Sequence, residues 1–373
     1  MKMNAGWNDR APIELQGLRV TMSEPVLVRR SNWFCHYPSL IRQPSGRLWA
    51  TIQANADEAV PGVTTLLSRS DDGGLTWEEP FIIGGGRGGG GSDLLLADGS
   101  AVVIPMRLRP RPGVATIGAP CYIISPEGRP KLCQTGVNVS GWSRPLQPVD
   151  TAGLGLASFV FDGQVVRGRA GEYLTTLYGK FEGDSRFTVV LAESADGFSW
   201  RIRSIIVGAD CLLKGEEGPC EAAVCRLVTG AGQGRLMCVF RLGGLVPYGQ
   251  TWSEDDGRTW TKPVSMPAFS VEPSLQVMPS GIIALSGGRP GIYVWLNTDG
   301  SGTSWQAVDV LTHHNACRSR TEDQISKTTS YTELMPLDER RLLLIYDRLE
   351  MYGQEMVDNE NVQSVWALRI TLD

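Results

Sequence analysis

Residues 70–77 read Ser-Asp-Asp-Gly-Gly-Leu-Thr-Trp, and residues 253–260 read Ser-Glu-Asp-Asp-Gly-Arg-Thr-Trp. Both are copies of one pattern, Ser-x-Asp-x-Gly-x-Thr-Trp. A copy shorter by one residue ends at Trp200 (Ser194-Ala-Asp196-Gly-Phe-Ser-Trp), and a longer one ends at Trp305 (Thr298-Asp299-Gly-Ser-Gly-Thr-Ser-Trp). Asp and Gly suit a tight turn that needs side-chain to backbone bonds and positive φ, and the Trp leaves that turn to pack between neighbouring sheets. The chain is therefore built from repeats.

A second repeat lies over the first: an apolar strand, a short Gly-containing turn and another apolar strand. Pro38 to Ile52 turns at Gly46, Asp93 to Ile104 at Gly99, Cys220 to Arg241 at Gly234, Glu272 to Arg289 at Gly281 and Ser330 to Arg348 around Asp338. These have the form of inner hairpins of propeller blades. In the blurred third unit, Glu172 to Tyr178 is the candidate second strand. The gap between Trp77 and Trp200 leaves room for a blade whose turn motif is lost. The expectation is an all-β, six-bladed β-propeller of four-stranded antiparallel blades. One domain covers 1–373, with blades near 33–85, 90–150, 155–210, 218–268, 270–312 and 328–372, and residues 13–30 supply a strand that closes the ring.

Composition agrees. Gly 44 and Pro 22 among 373 residues fit many short strands and turns. A net charge of −5 with no basic stretch argues against a nucleic-acid partner. No apolar run approaches the roughly 18 residues of a membrane span. The N-terminus lacks the apolar core of a signal peptide, so the expectation is a cytoplasmic protein, or a secreted one whose leader is gone. The eight cysteines lack CxxC spacing, and Cys225 and Cys238 sit inside apolar strands, which reads as buried free thiols. The glycine run 84–91 lacks a following Lys-Ser/Thr and is read as a blade connection, not a phosphate loop.

Propeller geometry assigns faces before function. The Asp-Gly turns join third and fourth strands, so they lie opposite the starts of the first strands. Ligand sites are expected on the latter face, near the axis. That face collects His36, Asp93, Arg107, Glu221, Arg241, Glu272, Arg289, Tyr331, Asp347 and Arg348, with Asp57 and Glu58 from a loop and His313 and His314 from a connection.

The repeated turn resembles the Asp-box of the sialidase superfamily, whose enzymes are six-bladed propellers with three carboxylate-clamping arginines, a Tyr/Glu nucleophile pair and an Asp acid/base. The resemblance is carried by Glu221 in Gly218-Pro-Cys-Glu221 with Arg241 in Cys238-Val-Phe-Arg241, by Arg289 in Gly287-Gly-Arg289-Pro-Gly, and by Tyr331 in Thr329-Ser-Tyr331-Thr-Glu-Leu. It implies Tyr331 as nucleophile, Glu221 as its base, Asp57 as acid/base, Arg241 and Arg289 as anion-binding residues, and no cofactor. His36, His313 and His314 join the substrate-binding candidates. One departure stands out: where sialidases have Tyr/Phe-Arg-Ile-Pro-Ser, this chain has Cys35-His36-Tyr-Pro-Ser39. A His cannot reproduce the two parallel charged bonds an Arg gives a carboxylate.

The implied activity is an exo-glycosidase acting on a terminal, acidic sugar. Two other readings stay open: a polysaccharide lyase acting on a uronic-acid glycan through His, Tyr and Arg, and a propeller that binds glycan without catalysis. Each residue also has a structural role available. Glu221 and Arg241 can be a plain ion pair, Tyr331 a core aromatic, Asp57 a solvated loop residue, and Glu272 a strand-start residue. Two adjacent histidines rarely chelate one ion, so no metal is assigned.

Overall fold

A computed structural model describes residues 12–32, 34–54, 65–84, 93–104, 106, 108–110, 116–149, 156–157, 159–319, 331–348 and 363–373. Each of the four Asp-Gly turns is gathered by one carboxylate. Asp72 accepts the amides of Leu75 and Thr76 at 2.9 and 3.0 Å and the hydroxyls of Ser70 and Thr76 at 2.9 and 2.6 Å. Asp255 repeats the set with Arg258, Thr259 and Ser253. Asp196 holds the amides of Phe198 and Ser199, both at 2.8 Å. In the fourth turn Asn297 replaces the serine, its Oδ1 accepting the Gly302 amide at 2.9 Å as Ser70 Oγ accepts that of Gly74 at 2.8 Å. The bonded glycine has a left-handed backbone in all four turns, with φ of +89° at Gly74, +81° at Gly197, +83° at Gly257 and +73° at Gly302. A Cβ would be strained there.

The strands flanking these turns form antiparallel sheets. Four sheets have four strands in sequential order, and they start at His36–Arg42, Asp93–Leu95, Cys220–Arg226 and Ser274–Val277. A fifth is built on Thr332–Pro336, Arg341–Arg348 and Gln363–Leu372. It takes its outer strands from the N-terminal region: Val26–Ser31 and Leu18–Met22 both pair with Gln363–Leu372. The N-terminal strand expected to close the ring does so, tying the two ends of the chain into one sheet.

The expectation of six equal blades is corrected: five sheets have blade form. The strands from Val160 to Val207 lie instead within an eight-stranded sheet. Its meander, Tyr173–Gly179, Thr188–Ser194 and Ser199–Val207, is extended by Val137–Ser140, which runs parallel to the last strand with Val139 opposite Trp200. Arg109–Pro110, Ile117–Ala119 and Val137–Ser140 from the 90–150 stretch are thus joined to the next unit, while Pro130–Leu132 ends the Asp93 sheet as its fourth strand. Its inner edge is broken into Val160–Phe161 and Val166–Arg167. Between them, a Cβ at Gly163 would fall 1.7 Å from Thr176 Oγ1, so the backbones approach there in a way only glycine permits.

Apolar clusters lie between consecutive sheets all the way round. One joins the sheet of Ile41 to that of Val103, and the next joins Val102 to Val190 and Trp200. Others join Leu191 to Val224, Val239 to Leu285, Val294 to Leu344, and Ile345 to Ile52. The turn tryptophans fill these seams, with Trp200 in the second and Trp77, Trp260 and Trp305 packed against others. Closure leaves few unpaired sheet edges. All eight cysteines are free thiols and six are buried. The chain is an all-β propeller, and among the described residues no helix is long and apolar enough to cross a membrane.

Candidate active site

The inner strands begin on one face, and two of them begin with an irregularity. The pairing register shifts between Cys220 and Ala222, and Glu221 sits there at φ +35°. The register shifts again between His36 and Ser39, and Tyr37 sits there at φ +48°. Arg289, just past the strand Ile283–Gly288, has φ +51°. Three of the five non-glycine residues with positive φ among the described residues therefore lie on this face. Left-handed backbone at non-glycine residues is sparsely populated and concentrates at functional sites, where it re-aims a side chain.

The re-aimed Glu221 is the hub. Its Oε1 accepts from the Tyr331 hydroxyl at 2.9 Å and from Arg241 at 2.7 Å, and its Oε2 accepts the backbone amide of Glu272 at 2.9 Å. Arg241 also reaches Glu217 at 3.4 Å. Glu221 and Tyr331 are both buried. Burial alone would push the Glu221 carboxyl up, but the Arg241 charge and the bonds from the Glu272 amide and the Tyr331 hydroxyl outweigh it and hold it below the usual carboxylate range. Glu221 is thus an anion held against a phenol, three strands converging on one oxygen pair.

A second carboxylate fixes the phenol. Asp347 is fully buried and accepts the amide of Tyr37 at 2.9 Å and that of Tyr331 at 3.3 Å. Tyr37 in turn lays its ring against Tyr331, centroids 4.5 Å apart, and His36 stacks on Tyr37 at 4.1 Å. The ladder locks the Tyr331 ring in place. Sequence reasoning placed Asp347 on this face without a role and missed Tyr37 and Glu217. The signal for Tyr37 was its place in the same departing motif as His36.

The other candidates fall as follows. His36 is fully buried, so it meets aromatic rings and not solvent. His313 and His314 lie on the helix Val310–Cys317. His313 Nε2 bonds the Ser23 carbonyl oxygen at 2.8 Å, and His314 Nδ1 bonds the Tyr346 hydroxyl at 2.8 Å with its ring edge-on to Trp366. Burial pushes the His314 ring down to about 3, so it is neutral. Both histidines pack the helix onto the closing sheet. Arg289 is half-buried on the site face, its backbone carbonyl accepting from Ser270 Oγ at 3.1 Å. Glu272 is buried beside Glu221 at the start of the next blade. Asp57, Glu58 and Arg107 lie outside the described residues.

At the start of the strand Asp93–Leu95, Asp93 Oδ2 accepts from Ser39 and Thr51 hydroxyls at 2.7 and 3.0 Å, and withdrawal from water pushes its carboxyl up to about 6. Glu333, fully packed and bonded to the Leu40 amide at 2.8 Å, is raised well above the ordinary range by burial. Among the described residues no group of three or more His, Cys, Asp or Glu side chains is placed to hold a metal ion.

Comparison with protein-family models gives no match, and comparison with curated proteins gives none. Solved structures do match. A protein of unknown function from Dyadobacter fermentans is 17% identical with a TM-score of 0.69, over 95% of this chain and 99% of that one. The α-L-arabinanase of Penicillium chrysogenum, complexed with arabinobiose, is 15% identical with a TM-score of 0.61, over 93% and 98%. Trypanosoma rangeli sialidase, complexed with the inhibitor DANA, is 14% identical with a TM-score of 0.55, over 94% of this chain and 59% of that one. At these identities the likeness is one of fold: the chain shares its propeller with solved structures of glycoside hydrolases, a sialidase and an arabinanase among them.

Proposed function

We propose that the protein is a glycoside hydrolase that removes a terminal sugar through a tyrosine nucleophile. The observation that carries this is the 2.9 Å bond from the Tyr331 hydroxyl to Glu221, both buried and both pinned by further partners. A phenol with an ordinary pKa of about 10 is a weak nucleophile until a base takes its proton. In the first step the Tyr331 oxygen attacks the anomeric carbon, its proton passes to Glu221, and the glycosidic bond breaks. The leaving oxygen takes a proton from an acid, the role given to Asp57. In the second step that carboxylate deprotonates a water, which attacks the anomeric carbon and releases the sugar. The phenolate leaves and recovers its proton from Glu221. Two displacements retain the anomeric configuration.

Tyrosine in place of a carboxylate nucleophile fits a sugar that carries its own negative charge, which Arg241 and Arg289 would bind. A neutral terminal sugar is favoured by a different observation: Arg241 already carries Glu221 and Glu217, and His36, which takes the clamp arginine's place in the sequence motif, is buried. One panel separates the two. Aryl glycosides of sialic acid, keto-deoxy sugar acids, uronic acids and neutral pentoses and hexoses are assayed with the wild type, Tyr331→Phe and Glu221→Gln. Hydrolysis of one class, lost in both variants, supports the mechanism and names the sugar. Release of an unsaturated uronate from a polymer, or saturable glycan binding without turnover, overturns it in favour of a lyase or a binding protein.

A further inference from the structure

Residues 117–140 form one antiparallel ribbon that changes sheets along its length. Tyr122–Ile124 pairs with Pro130–Leu132 in the sheet that starts at Asp93, whereas Ile117–Ala119 pairs with Val137–Ser140 in the eight-stranded sheet. The crossing is tight: Gly136 has φ +63°, and a Cβ there would fall 2.4 Å from the Ala119 carbonyl oxygen. Two cysteines sit at this crossing. The register that sets Tyr122 opposite Leu132 sets Cys121 opposite Cys133, and the Cys133 amide donates to the Cys121 carbonyl at 2.8 Å. Both side chains pack into the same apolar cluster, the seam between these two sheets.

Opposed residues of a hydrogen-bonded antiparallel pair have Cα atoms about 5.5 Å apart, inside the range of about 4.4–6.8 Å that a disulfide spans. The two thiols are not equivalent. Cys121 is fully buried, and burial pushes its thiol up to about 12. Cys133 is half-buried, and its Sγ lies 3.3 Å from the hydroxyl of the exposed Thr135. Partial burial would raise the Cys133 thiol, but the Thr135 hydroxyl, the Thr135 and Gly136 amides and the Cys121 thiol outweigh it and hold it below the ordinary cysteine value. One sulfur therefore meets solvent as the better nucleophile, and the other is shielded beside it. Cys225 and Cys238, also on paired strands, pack into different seams and cannot meet.

We propose that Cys121 and Cys133 are a redox pair, a modification site at which a low-molecular-weight disulfide converts the two thiols into a cross-strand disulfide that fastens the ribbon where it changes sheets. The Cys133 thiolate attacks the reagent, forming a mixed disulfide and releasing one reagent thiolate. The Cys121 thiol then attacks the Cys133 sulfur, and its proton leaves with the second reagent thiol. Two electrons and two protons pass from the cysteines to the reagent, which departs as two thiols. This is independent of the glycosidase reading. In the test, the native protein is held in mixtures of oxidised and reduced glutathione and quenched in acid. Its remaining thiols are alkylated under denaturing conditions, and its peptides are mapped by mass spectrometry. The wild type is expected to give a Cys121–Cys133 linked peptide that dithiothreitol removes, with Cys225 and Cys238 still alkylated. Cys121→Ala should stop at the intermediate, with one glutathione on Cys133, and Cys133→Ser should give neither product. Cys238→Ala should keep the link. A wild type whose Cys133 takes up glutathione without linking to Cys121, or keeps both thiols in the most oxidising mixture, overturns the inference. A link that forms only in urea overturns it too.

Discussion

The hydroxyl of Tyr331 donates to Oε1 of Glu221 across 2.9 Å, although 110 residues separate them in the chain. The bond joins the residue just ahead of the strand Thr332–Pro336 to the bulge that opens the blade two units away. With Tyr331 as nucleophile and Glu221 as its base, Glu221→Gln should lower kcat by about 10²- to 10⁴-fold, and Tyr331→Phe, which removes the attacking oxygen, by at least as much, while the fold persists. Steady-state kinetics with circular dichroism checks this, and full activity in Tyr331→Phe would reduce the pair to a structural contact.

Arg241 is expected to be the stability keystone of the site. Replacing it with Met leaves Glu221 buried without its charge partner, which costs about 3–5 kcal/mol in comparable buried pairs. Denaturant titration at neutral pH reads this directly. Glu221 has a lowered carboxyl, so its contribution is present above the unfolded value near 4.5 and is lost as pH falls through the folded value. The wild type and Arg241→Met should therefore converge in stability in acid.

Asp93 should act in the opposite sense. Its carboxyl is raised from 3.8 to about 6, so between those values the folded protein binds more protons than the unfolded chain, and stability falls as pH rises across that window. Asp93→Asn keeps an acceptor for Ser39 and Thr51 and removes the titration. The melting temperature of the variant, followed from pH 4 to 7, should decline less than that of the wild type. An identical decline in both would assign the effect elsewhere, Glu333 being the neighbouring candidate.

Asp255→Ala should cost about 1–2 kcal/mol, the range for losing a side chain that caps several amides. Its carboxyl is held low by Thr259, Ser253 and Arg258, so the loss is expected at neutral pH and fades in acid. Hydrogen exchange at the Arg258 and Thr259 amides would locate it.

Much of this was legible beforehand because turns are local. Ser, Asp and Gly at fixed offsets satisfy one another within eight residues, so reading four such turns and their tryptophans gave the propeller, its faces and the closing N-terminal strand. Glu221, Arg241 and Tyr331 were found because each opens or ends an inner strand. Equal blades were the wrong extrapolation: the parallel pairing of Val139 with Trp200 joins segments with no shared local signal, and only packing chose it.

The sequence by itself determined the turn chemistry, the repeat and which residues could share a face, all of which follow from short-range bonding and strand direction. Only the tertiary structure decided that His36 faces aromatic rings, that His313 and His314 serve the helix, and that Asp347 and Tyr37 brace Tyr331. Those outcomes depend on a bulge turning one side chain inward and on which distant strand ends meet at the axis, and neither is encoded in any local stretch of chain.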